Sequence, residues 1–101
     1  MSDVYFVYLL ANEDQDAFYA GITRDLAFAV SSHRQGLADA RTKRQKIHQL
    51  VWYRTLGDLL NALRQKANLV ELSDPSKRLL VELDNPNWRD LMEEEDALLI
   101  A

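Results

Sequence analysis

Short apolar runs alternate with polar punctuation along this chain, and each run has a readable period. Val4 to Ala11, VYFVYLLA, is a nearly continuous run of β-branched, aromatic and aliphatic residues. It is too short for most helices and predicts a central strand buried on both faces. NEDQD follows with turn-forming Asn and Asp, and AFYAGIT resumes the strand pattern, so the two runs predict a β-hairpin.

Thr23 or Asp25 can cap a helix through LAFAVSSHRQ, in which Leu26, Ala29, Val30 and His33 share one stripe and Gly36 is the stop. LADARTKRQK has no persistent period and many charges, which predicts a loop of roughly ten residues. Ile47 to Arg54, IHQLVWYR, predicts a third strand. TLGDLLNALRQKANLV predicts a second helix on Leu59, Ala62, Leu63 and Lys66 to Ala67, with Thr55 or Asp58 near its start. SDPSKRLLVELDNP opens a third helix, because a proline in the first turn lacks an N–H that would have no helical partner. NPNWRDLMEEEDALLIA predicts a short closing helix anchored by Trp88 and followed by an acidic end. The order β-β-α-β-α-α implies an α+β fold, a three-stranded, mostly antiparallel sheet flanked by helices.

At 101 residues the chain suffices for one domain with a single modest core, expected over residues 4–91 with an acidic tail at 92–101. No apolar run approaches the roughly 20 residues that span a bilayer, and Asp3 stands where a signal peptide carries positive charge. A cytoplasmic protein with no membrane partner is expected. The absence of cysteine excludes disulfides, thiolate metal sites and cysteine nucleophiles. His33 and His48 show no metal-ligand spacing, and no G-x-S-x-G turn presents Ser31, Ser32 or Ser73, so neither a metal site nor a serine triad is expected.

Charge alters the picture through its distribution. The net charge of −4 is unfavourable for a nucleic-acid protein. Yet residues 33–66 hold eight Lys and Arg against only Asp39 and Asp58, a net of +6 between two acidic flanks. Arg41, Lys43, Arg44 and Lys46 fall within six residues. Such a cluster focuses positive potential and is the candidate nucleic-acid-binding segment, the alternative being a merely solvated loop.

VYLL, then FYAGITRDL, HRQG, TKR, LVWY and NPNW, in that order from about Val4 to Leu91, resemble the GIY-YIG nuclease superfamily, in particular its small single-domain bacterial branch. Tyr8 falls at the tyrosine of the first motif, and Tyr19-Ala20-Gly21 at the second. The resemblance implies a cleft built around Tyr8, Tyr19, Gly21 and His33, with the tyrosine near an attacking water and the glycine permitting close approach of backbone and substrate. Their bland readings stay open: core aromatics, a strand-end glycine, and a histidine favoured by a helix C-terminus.

The resemblance also implies an arginine on the first helix and a metal-holding glutamate on the second, since a cation steadies phosphoryl charge and a bound divalent metal acidifies water. Here Ala29 occupies the arginine position and Lys66 the glutamate position. The expectation is therefore a degenerate, catalytically doubtful GIY-YIG member with no cofactor, which retains DNA or RNA as partner. An active structure-selective endonuclease using Mg²⁺ or Mn²⁺ is one alternative. A protein-interaction or homodimerisation module, pairing the basic segment with the acidic C-terminal surface, is the other.

Overall fold

The computed structural model describes residues 4–93. Strand β1 (Tyr5–Ala11) lies in the middle of an antiparallel sheet of order β2-β1-β3, with β2 at Phe18–Thr23 and β3 at Gln49–Leu56. The expected hairpin joins β1 to β2 and is closed by Asn12, whose side-chain oxygen accepts from the Asp16 and Ala17 amides at 3.0 and 3.1 Å. An asparagine that mimics a backbone turn in this way fixes the loop length and hence the register Tyr8↔Gly21 and Leu10↔Tyr19.

As its apolar run requires, β1 is covered on both faces. Val7, Leu9 and Ala11 join Phe18, Val51 and Trp52 beneath Ala62 and Leu69 of helix α3 (Leu59–Glu71) and Val81 of α4 (Asp74–Asp84). Tyr8 and Leu10 face the other way, against Leu26 and Val30 of α1 (Leu26–Arg34), with Ile47, Leu50 and Met92. A register break between Leu9 and Leu10 puts an extra residue into β3, so consecutive Val51 and Trp52 both enter the α3 side.

Capping sets the helix starts. Asp25 accepts from the Phe28 amide at 3.0 Å, Asp58 from Leu60 at 3.1 Å and Ser73 from Ser76 at 3.2 Å. Helix α1 ends where Gly36, at φ +75°, donates to the His33 carbonyl while Leu37 donates to Ser32, the two bonds of a left-handed helix stop.

Four expectations need correction. The supposed loop at 37–46 contains a short helix, α2 (Ala40–Arg44), because Asp39 accepts from the Arg41 and Thr42 amides at 2.8 and 3.0 Å. The third strand begins at Gln49 instead of Ile47, because the Ile47 amide closes α2 on the Thr42 carbonyl at 2.9 Å. Leu59 and Leu63 of α3 are exposed, and its buried positions are Ala62 and Leu69. The closing helix does not start at NPNW: residues 85–90 form a turn, helical residues begin at Leu91, and most of the acidic tail lies outside the described residues.

That turn is held by Asn85, which is buried. Its amide nitrogen donates to the Val51 carbonyl at 3.1 Å and the Arg89 carbonyl at 2.9 Å, and its oxygen accepts from the Arg89 amide at 3.0 Å. The NPNW motif thus ties the chain after α4 to the bulge of β3. Trp88 then packs against Phe18, ring centroids 6.3 Å apart. Among the described residues no helix is long and apolar enough to cross a membrane.

Candidate functional site

Residues of β1, β2, α1 and the segment after α1 line an open cleft of about 470 Å³. Its floor is Tyr8, Tyr19 and His33; Ile22, Ala29, Ala38 and the side chains of Phe28 and Leu37 form its walls, with Thr23 and Ser32 between them. Three of the four residues expected at a cleft therefore line one, and the fourth, Gly21, supports it from below. A Cβ at Gly21 would stand 2.4 Å from both Cζ and Oη of Tyr8, so the group that approaches this glycine closely is the Tyr8 phenol itself.

The three rings form a compact set, with centroids of Tyr19 and His33 4.5 Å apart, Tyr8 and His33 6.2 Å, and Tyr8 and Tyr19 6.3 Å. Polar atoms continue it inward. The Tyr8 hydroxyl lies 3.3 Å from His33 Nε2, His33 Nδ1 lies 2.9 Å from Thr42 Oγ1, and Thr42 Oγ1 donates to the Asp39 carbonyl at 3.0 Å. The last bond sets the direction of the others. With its one proton given to Asp39, Thr42 can only accept from His33, so Nδ1 carries the imidazole proton and Nε2 accepts from Tyr8.

The electrostatics agree with a neutral chain. Burial lowers the His33 pKa below the usual histidine value, opposed by Asp39 and reinforced by His48. Burial pushes the Tyr8 phenol up, with Tyr19 adding to it, and Tyr19 is raised by burial and by Asp39 while Arg41 acts in the opposite sense. The floor of the cleft is thus uncharged at neutral pH, with hydroxyls to offer and no ready anion.

Ala29 and Lys66 stay apart. Ala29 is a wall of the cleft, whereas Lys66 is half-buried on α3 beside Ala62 and Leu69, and no α3 residue lines the cleft. Neither neighbouring arginine lines this cleft. Arg34 pairs with Asp90 and donates to the His48 carbonyl at 3.0 Å, and Arg24 lies over the Tyr5 ring beside a different cleft formed with Phe6, Leu26 and Tyr53.

A divalent metal is what the resemblance would add, and the residues present do not fit one. The cleft lining contains no carboxylate, both ring nitrogens of His33 are engaged, and Asp39 spends its carboxylate on capping α2. Among the described residues no group of three His, Asp or Glu side chains could hold a metal ion. A hard cation requires oxygen ligands, preferably charged, that this floor does not supply.

The four basic candidates sit on or just after α2 but do not form one surface. Arg41 donates to the Phe18 carbonyl at 2.6 Å, beside Tyr19, Val70 and Lys77. Lys43 lays its aliphatic stem over Gly36, the residue before Leu37 of the cleft lining, where an added Cβ would be 2.7 Å from its Cδ. Arg44 is exposed, and Lys46, in the left-handed region at φ +55°, borders a polar hollow with Asn12, Glu13, Asp14 and His48.

Thr42 and Asp39 carry the inner end of the hydrogen-bonded chain, and pattern reading missed both. Thr42 was singled out only as part of the TKR motif and Asp39 only by standing three residues before it, the spacing of a helix cap, and neither says anything of a histidine nine positions earlier.

No protein-family model matches the sequence, and no curated protein matches it significantly. Among solved structures it is similar to the solution NMR structure of the UPF0213 protein BH0048 from Bacillus halodurans, with a TM-score of 0.55 over 87% of this chain and 93% of that one. The two chains share a fold. Their sequence identity is 24%.

Proposed function

We propose that this chain is a GIY-YIG-like domain that binds nucleic acid without hydrolysing it. The observation that carries this reading is a cleft with the Tyr8–His33–Thr42 chain at its floor and neither cation nor carboxylate in its lining, while Lys43 packs on Gly36, the residue before the lining Leu37. Loss of one well-placed electrostatic stabiliser typically slows an enzymatic reaction about 10²- to 10³-fold, and this cleft lacks both groups. Arg44 and Lys43 remain to attract phosphate.

The test is fluorescence anisotropy with labelled DNA and RNA at about 50 and 200 mM salt, the range over which phosphate contacts are screened. Binding should weaken with salt and be lost in Lys43→Glu/Arg44→Glu, with no cleavage in Mg²⁺ or Mn²⁺. Absence of binding at low salt would remove the reading, and Tyr19-dependent cleavage would replace it with an active nuclease.

A second reading, a homodimer, is favoured by α3, whose Leu59, Leu60, Leu63 and Val70 are about half exposed or more. Sedimentation velocity of the wild type against Leu60→Glu/Leu63→Glu separates it: a dimer converted to monomer supports this surface, and a wild-type monomer removes it.

A further inference from the structure

The cleft beside Tyr19 is built for a different part of a nucleic acid than its backbone. None of its ten lining residues is Lys, Arg, Asp or Glu, and the one titratable base among them, His33, is buried with its pKa lowered. A phosphate drawn into such a lining would lose water and gain no countercharge. A nucleobase loses far less, because it is uncharged and brings a π-face and hydrogen-bonding edges.

Two observations fit that occupant. Phe28, in the first turn of α1 and lining the cleft, is 70% exposed, and Leu37, also in the lining, is 76% exposed. Large apolar side chains left in water on the walls of one cleft form a stacking platform. The Tyr19 and Ser32 hydroxyls also line the cleft, and neither makes a hydrogen bond to another described residue. They can serve the edge of a base.

Charge lies where the backbone of that nucleotide would run. Lys43 packs on Gly36, immediately before Leu37, and Arg44 follows it on the exposed side of α2. We infer that the cleft takes one unpaired nucleobase, stacked on Phe28 and hydrogen-bonded by Tyr19 and Ser32, with its flanking phosphates on Lys43 and Arg44. The inference rests on the nucleic-acid reading above and narrows it to single strands, since a paired base is not available to stack on a side chain.

The experiment compares anisotropy titrations of a 12-nucleotide single strand of order-of-magnitude site length, its duplex, and the same strand with central abasic residues, which keeps every phosphate. The proteins are the wild type, Phe28→Ala and Phe28→Trp, each checked by thermal melting. A single strand that binds about 10-fold tighter than duplex, with a loss of about 10-fold on abasic substitution or Phe28→Ala, is the expected result. Phe28→Trp should keep the affinity, and its added fluorescence should be quenched by the intact strand but not the abasic one. Equal binding of all three nucleic acids, unaffected by Phe28→Ala, would overturn the base site and leave the nucleic-acid reading standing. No binding to any of them at low salt would overturn both.

Discussion

Tyr8 and Gly21 face each other across the β1–β2 ladder, and the phenol occupies the space a side chain at Gly21 would need. The glycine therefore serves the tyrosine directly. Since both the ring carbon and the hydroxyl of Tyr8 lie 2.4 Å from an added Cβ, a methyl group cannot be absorbed by a small rotation.

Gly21→Ala should destabilise the fold by about 1–3 kcal/mol, the usual penalty for overpacking. In a Tyr8→Leu background, which removes the distal ring atoms, the same change should cost much less. Chemical denaturation of the four proteins of this double-mutant cycle measures the coupling. Equal costs in the two backgrounds would mean that Tyr8 is not what Gly21 accommodates.

The hydrogen-bond direction from Tyr8 to Asp39 predicts a single tautomer for His33. Nitrogen NMR of the imidazole should find the proton on Nδ1, with Nε2 in the acceptor form. Thr42→Val leaves that buried N–H unpaired, at a cost of about 1–3 kcal/mol, whereas Thr42→Ser retains the acceptor and most of the stability. A proton on Nε2 in the wild type would reverse the chain and contradict this assignment.

The same burial gives a pH dependence. The folded His33 pKa is lowered, chiefly by desolvation, while an unfolded histidine titrates near about 6.5. Between those two values the unfolded chain binds the extra proton, so His33 contributes stability that is complete above the unfolded value and is lost as the pH falls toward the folded one. Asp39 opposes this shift and His48, whose Nε2 is buried with no hydrogen-bond partner among the described residues, deepens it. Melting curves between about pH 7.5 and 5 should therefore drop with acidification, and His33→Gln should flatten the slope. An unchanged slope in that variant would assign the loss elsewhere.

Asn85 joins the turn after α4 to the β3 bulge by donating to the Val51 carbonyl, and closes the turn by donating to the Arg89 carbonyl and accepting from the Arg89 amide. Asn85→Asp keeps the shape and the acceptor but has no hydrogens for the Val51 and Arg89 carbonyls, and it sets a carboxylate against both. The expected loss is on the order of 3 kcal/mol, accompanied by loss of protection of the 85–92 amides in hydrogen exchange. Wild-type stability and protection in Asn85→Asp would show that the turn is held by other contacts.

Much of the fold was legible because its signals are local. The unbroken apolar run of β1, the polar hairpin loop opened by Asn12, and Asp25, Asp58 and Ser73 before their helices each act within a few residues. Helix α2 escaped because five residues contain too little of a period to read. On α3 two apolar faces compete, and only docking on the sheet decides that Ala62 and Leu69 go in while Leu59 and Leu63 stay out.

By itself the sequence determined the three strands, the longer helices and their cap candidates, since period and turn chemistry are written in neighbouring residues, whereas Tyr8, Tyr19, Gly21 and His33 were candidates through the resemblance alone. Tertiary structure alone decided that the Tyr8 ring lies on Gly21, that Thr42 accepts the hydrogen bond of His33 Nδ1–H, that Val51 and Trp52 share a face and that Asn85 reaches Val51. Each of these contacts depends on strand register and on helices docking across the sheet. Such placements are fixed by the summed burial of many distant side chains, and no short stretch of chain contains that sum.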